Sequence, residues 1–280
     1  MTRRRLVALV SAISMLGIGI VAMLVLASVT GTSYGRDKVR NFLHSRISAK
    51  VQGSVHIGRI SGGLLSGVTI DSLEIRDMDD SLFIATGPIT VEYDIRDFFD
   101  RRILLERLEV ERPIVRIAQH ENGDWNYRRI FPRGPRRLPN IQGGFGDFIV
   151  IDTAAIHGGS LTVTLPWHPD DSLRGARRDS AIAAHLARKD AEFRKTSEGF
   201  SRTRRWTELD VASSYVRWAD PDSIGRFFDI RALRALESDP PIRVTAARGN
   251  VRILADSAWI DIPHFELPGS AGAACAVGMQ

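Results

Sequence analysis

A chain of 280 residues, 44% apolar and 25% charged, has the composition of a folded protein and room for one large domain or two small ones. Its formal charge of +5 does not make it a nucleic-acid binder, because Arg3, Arg4 and Arg5 supply three of those charges ahead of the first apolar run. The single cysteine, Cys275, excludes a disulfide framework and a cysteine-based metal site within one chain.

The first 35 residues read as a cytoplasmic tip and a membrane anchor. From Leu6 to Thr30 no residue is charged. As a helix this run would reach roughly 37 Å, enough to cross a hydrocarbon core of about 30 Å with some tilt. The competing reading, a cleaved signal peptide, calls for a shorter apolar core and a small-x-small cleavage site. Three arginines before the run place the N-terminus in the cytoplasm and the bulk of the chain on the far side. Residues 36–50 then put Val39, Phe42, Leu43 and Ile47 at helical spacing, which predicts a short amphipathic helix capping the end of a sheet.

Residues 51–131 alternate in short runs. Val55 and Ile57 share one side, followed by Val68 and Ile70, and after one extra residue Leu73 and Ile75. Ile89, Val91 and Tyr93 continue the pattern, then Ile103 and Leu105, then Leu108 and Val110. The parity changes at Asp71-Ser72 and at Arg107, as a β-bulge would produce. Pro113 suits a strand start, an edge or a bulge, Asp77 to Asp80 a solvated hairpin turn, and Asn122-Gly123 a tight turn. Trp125 is expected to pack over that turn while Asn126 bonds nearby backbone. The expectation is an antiparallel meander with local connections.

Residues 132–147 are rich in Pro and Gly and read as a linker. Strands resume over 148–268, interrupted at about 168–207 by a solvated helical insertion with Ile182, Leu186 and Phe193 on one stripe and ten Lys or Arg against six Asp or Glu. Ile224, Phe227 and Phe228 suggest a short helix, and strands follow at 242–245, 250–254 and 257–265. The tail, 269–280, is irregular without a strand signal, as in a fragment.

One phrase returns three times, at 109–117, 155–163 and 246–253, each time with a turn former or Pro shortly before an apolar-polar-apolar run. It is a strand with one dry face.

Phosphate-binding, nucleophile-elbow and zinc-protease motifs are missing, and the seven histidines are scattered singly. The expectation is a protein that is not an enzyme and uses no cofactor or metal.

The anchor, the helix, Gly53 to Gly62, Gly67 to Ile70, Leu73 to Asp77, Ile89 to Asp94, Leu108 to Ile117 and Gly123 to Asn126 come in an order that resembles the AsmA-like superfamily, and within it the TamB-like proteins. The likeness covers about residues 1–130, and more loosely 148–165 and 242–268. It implies a mainly β protein: an N-terminal transmembrane helix followed by an elongated, curled antiparallel β-sheet with an apolar groove. It also implies a single-pass protein of the inner membrane with a periplasmic body, phospholipid acyl chains as cargo between the inner and outer membrane, and a barrel partner in the outer membrane. The alternative function is a non-enzymatic assembly module that binds outer-membrane proteins through exposed strand edges. The chain departs from the family in its shorter length and in its helical insertion. The groove residues this reading selects are Val55, Ile57, Val68, Ile70, Leu73, Ile75, Ile89, Val91, Tyr93, Val110, Val115 and Ile117. For each of them, closed-core packing and lipid contact are equal readings.

Overall fold

A computed structural model describes residues 37, 40–41, 44–45, 47–49, 51–63, 66–94, 96–97, 102–132, 148–188, 192–197, 199–220, 223, 225–238, 241–254, 257–268 and 275–279. The expected anchor and most of the expected linker lie outside these residues. Among the described residues no helix is long and apolar enough to cross a membrane.

Among the described residues the fold is mainly β, with fifteen strands in one open sheet and few helices. The first eight strands are short: β1 (Ser54–Ile57), β2 (Ile60–Ser61), β3 (Gly67–Ile70), β4 (Leu73–Arg76), β5 (Leu82–Thr86), β6 (Ile89–Glu92), β7 (Ile103–Glu111) and β8 (Ile114–Ala118). Then come β9 (Ile149–Pro166), β10 (Glu192–Lys195), β11 (Phe200–Ala219), β12 (Arg226–Ser238), β13 (Pro241–Ile253), β14 (Ala258–Glu266) and β15 (Cys275–Met279). Two helices are described in full, α1 (Asn126–Ile130) and α2 (Gly175–Leu186).

The registers show that the eight short strands are four longer ones, each interrupted once. β9 faces β7 with Ile103 opposite Ile149, and it faces β8 in the same register, with Ala118 opposite Thr164. The pairs β5 with β8 and β6 with β7 likewise share one register, as do β4 with β5 and β3 with β6, and β1 with β4 and β2 with β3. The interruptions lie side by side at Gly58-Arg59, Asp71-Ser72, Gly87-Pro88 and Arg112-Pro113. They continue into β9 at Gly158-Gly159 and into β11 at Glu208, where the register shifts.

Hydrogen bonds stitch this crease together. The Gly58 amide donates to the Ser72 carbonyl (2.8 Å), Asp71 to Arg59 (2.9 Å), Gly87 to Glu111 (2.8 Å), Arg112 to His157 (2.7 Å) and Ser160 to Pro113 (2.7 Å). Arg112 (φ 45°), Gly158 (φ 61°) and Glu208 (φ 51°) take the left-handed conformation there. Each break changes the alternation by one, so that Ile70 and Leu73, or Ile156 and Leu161, stay on one side of the sheet. In β9 a Cβ on Gly159 would lie 3.1 Å from Ile156 Cγ2 and 3.2 Å from Pro113 Cγ, which puts position 159, and Leu161 two residues on, on the side of Ile156.

Among the described residues, a closed core cluster sits at the end where the chain enters the sheet. Val51, Ile75 and Ile130 are buried there, with Ile47, Val55, Leu73, Phe83 and Ile84 packed around them. Ile47 belongs to the helical residues of the 37–48 segment and packs against this cluster. Ile130 is fully buried on α1, where burial of such a side chain contributes about 1.5–3 kcal/mol. α1 is held to β8 by Asn126, whose side chain accepts from the Ala118 amide (3.1 Å) and donates to the Arg116 carbonyl (2.9 Å). Trp125 stacks on Tyr127 at 5.9 Å beyond the turn at Gly123 (φ 85°). The Asp77 to Asp80 turn forms as expected, with the Asp77 carboxylate accepting from the amides of Asp79 and Ser81.

Several expectations are corrected. The sheet is not antiparallel throughout: β7 and β8 run parallel to β9, so the connection from Ala118 to Ile149 carries the chain back along the strand length. No bulge forms at Arg107, which stays opposite Glu92 and Thr153, because β9 makes the same step from Ile151 to Ala154 and neither strand slips. Among the described residues the insertion is helical only over α2. Phe193 lies in β10, and β11 begins at Phe200, where Ser201, Arg202 and Thr203 each have a β9 partner on one side and a β10 partner on the other. Phe227 and Phe228 belong to β12, since each pairs with a β11 residue and stacks near another aromatic: Phe227 by Tyr215 (6.2 Å), Phe228 by Trp218 (6.3 Å). Finally, the tail contains β15, whose backbone completes the ladder of β14.

Candidate functional site: an apolar face crossed by rows

Residues opposite one another on neighbouring strands project to the same side of a sheet. One such row runs Ile60, Ile70, Ile89, Val110, Ile156, Val211, Leu233, Ala247 and Phe265, crossing nine strands without a polar member. All but Ile60 and Ala247 keep partial exposure. On the other side of the crease a second row runs Val55, Ile75, Ile84, Val115, Leu161 and Trp206. A third apolar row, toward the far strand ends, runs Leu105, Ile151, Val216, Phe228, Val251 and Ile260; Leu105 and Ile151 stand an odd number of residues from Val110 and Ile156 with no register shift between, so in β7 and β9 this row takes the other side of the sheet.

The twelve selected residues distribute over these rows unevenly. Val55, Ile75 and Val115 are in the second row, and Ile57 pairs with Leu73 beside it. Ile117 follows on β8 opposite Val163. Ile70, Ile89 and Val110 are in the nine-strand row, and Val68 pairs with Val91, which pairs with Leu108. Tyr93 follows β6, its amide donating to the Ser66 carbonyl (3.1 Å), and burial pushes its phenol above the ordinary range. Ile57 and Ile75 are buried, while the other ten are half-buried. Val55, Leu73 and Ile75 belong to the closed cluster under Ile130, where protein already covers them.

Sequence reasoning missed Ile60, Ile156, Val211, Leu233, Ala247 and Phe265. A signal was present: Ile156 and Leu161 stand in the second copy of the repeated phrase, at the positions of Val110 and Val115 in the first. The two copies lie next to each other in register, Glu109 opposite Ala155 and Ile117 opposite Val163.

The face has charged boundaries. Arg202 and Arg204 alternate with Trp206 along β11, with Arg202 over the Phe193 ring (5.5 Å) and Arg204 paired with Glu237 (3.5 Å). A hollow of about 420 Å³ lies near α1, lined by His120, Glu121, Asn122, Asp124 and Arg129. These polar walls do not suit an acyl chain.

What the arrangement can do chemically is bury hydrocarbon. Comparison with known proteins finds no matching family model and no matching curated protein. The class the fold defines is a large open sheet with apolar rows running across its strands.

Proposed function

We propose that the chain is an inner-membrane-anchored, periplasmic β-groove protein of the AsmA-like and TamB-like kind, and that its apolar face takes phospholipid acyl chains on their way between the inner and outer membrane. The observation that supports this most is the half-exposed row from Ile60 to Phe265. A row that crosses nine strands runs perpendicular to them, and it suits a long flexible hydrocarbon better than a compact ligand. Each methylene laid on such a surface gains about 0.8 kcal/mol, so transfer along it needs no catalytic group. The anchor reading rests on the uncharged run from Leu6 to Thr30 and the arginines before it.

The test is photo-crosslinking in cells from Val91, below the crease, and from Val115, above it. Lipid adducts at both positions are expected. Protein adducts alone would overturn the conduit and favour the assembly module, whose binding surface would be the open edges at β1, β2 and β15.

A further inference from the structure

The end of the sheet where the chain enters also carries α2 and β10. β1 begins there, β8 and β9 end there and β11 starts there, as their pairings require. Residues 168–207 hold ten Lys or Arg against six Asp or Glu, so the insertion is net positive in a chain otherwise close to balance.

α2 is fixed in place rather than loosely appended. The Trp167 ring lies 4.6 Å from His185 of α2, 5.2 Å from Phe193 of β10 and 6.1 Å from Phe200 of β11. His185 and Phe193 are themselves 4.9 Å apart. This aromatic clamp joins the second half of the helix to the sheet, while residues 174–180 are all exposed. Arg177, Arg178, Arg194 and Lys195 point charge into solvent, and among the described residues no ion pair engages them. The Arg174 guanidinium donates to the carbonyls of Asp171 and Leu173, and Asp170 accepts from the Ser172 amide at 2.8 Å. Leu186 adds an apolar side chain that is 40% exposed.

We propose that α2 and β10 form a foot that rests on an anionic phospholipid surface, that of the membrane holding the N-terminal run. The position of that membrane rests on the anchor reading given above; the chemistry of the foot does not. Exposed basic side chains beside an apolar one, held rigid at the strand end where the anchor would emerge, match a headgroup layer bearing phosphate charge. α2 and β10 themselves carry Arg177, Arg178, Arg194 and Lys195 against Asp179 and Glu192, whereas the neighbouring turn carries Asp77, Asp79 and Asp80, so the positive charge of this end is confined to α2 and β10.

The full-length chain is reconstituted in nanodiscs of phosphatidylcholine, alone or mixed with phosphatidylglycerol, and amide hydrogen exchange is followed over residues 175–195. Slower exchange in α2 and β10 is expected only with phosphatidylglycerol. It should weaken with added salt, and the underlying affinity should fall roughly fivefold for each charge removed in R177Q, R178Q and K195Q. These side chains are exposed, so the variants keep the fold, which thermal unfolding checks. Exchange that is the same in both lipids, whether fast or slow, overturns the foot. Release of the chain from membranes by alkaline extraction overturns the anchor instead, and the same comparison with free vesicles then still decides the foot.

Discussion

Gly249 shows how close neighbouring strands approach at single residues. A Cβ there would lie 2.0 Å from the Asp261 carbonyl oxygen and 2.8 Å from Ile262 Cα, both backbone atoms that cannot rotate away. Gly249→Ala should therefore part β13 from β14 and cost about 1–3 kcal/mol in urea unfolding, whereas Gly63→Ala, with only the Ser66 hydroxyl at 4.0 Å, should stay within about 0.5 kcal/mol. At Asp94 the argument is electrostatic. Side-chain hydrogen bonds from Arg96 and its backbone amide hold the carboxyl down at about 2, from an ordinary 3.8. A depressed carboxylate stabilises the folded turn above its ordinary value, and that contribution is lost as pH falls from there through about 2. NMR titration should find this midpoint, and Arg96→Gln should return it toward 3.8.

Single strands were largely legible because alternation is written residue by residue. The runs at Val55, Val68, Leu73, Ile89 and Val110 all became strands, and the odd step at Asp71-Ser72 became a break. What alternation could not carry was pairing. The step at Arg107 looks like the one at Asp71-Ser72, yet the structure leaves its pairing unshifted, since the outcome depends on what β9 does opposite it. Phe227 and Phe228 misled for a similar reason: two adjacent aromatics after Asp222-Ser223 resemble a helix start until Arg217 and Val216 are seen across from them. β15 offered no side-chain signal, because an added strand needs only backbone groups to complete a ladder. Six of the nine residues of the nine-strand row, Val211 and Leu233 among them, lay outside the residues selected, and its membership was set by register, which no single segment contains.

At the scale of the molecule, a row of interruptions shared by six strands lets the row from Ile60 to Phe265 and the row from Val55 to Trp206 lie on one face while the backbone changes its alternation. The likeness between the phrase at 109–117 and that at 155–163 also acquires a meaning at this scale, since the two copies are neighbours. Their junction has a kinetic consequence. Strands β1 to β8 can assemble through short turns, but β9 meets β7 and β8 only after the segment from Ala118 to Ile149 has closed as a loop. Loop closure is an entropic step that must be completed before the contacts it permits reward it, so joining β9 to β7 and β8 is the natural bottleneck of folding, whereas β11 to β15 pair with one another through their own antiparallel connections. Doubling the length of that connection with Gly and Ser should add about 0.6 kcal/mol to the step and slow refolding roughly threefold while leaving unfolding nearly unchanged, as stopped-flow kinetics would record. The union of the chain's two halves is thus timed by the joint at which, among the described residues, neighbouring strands point the same way.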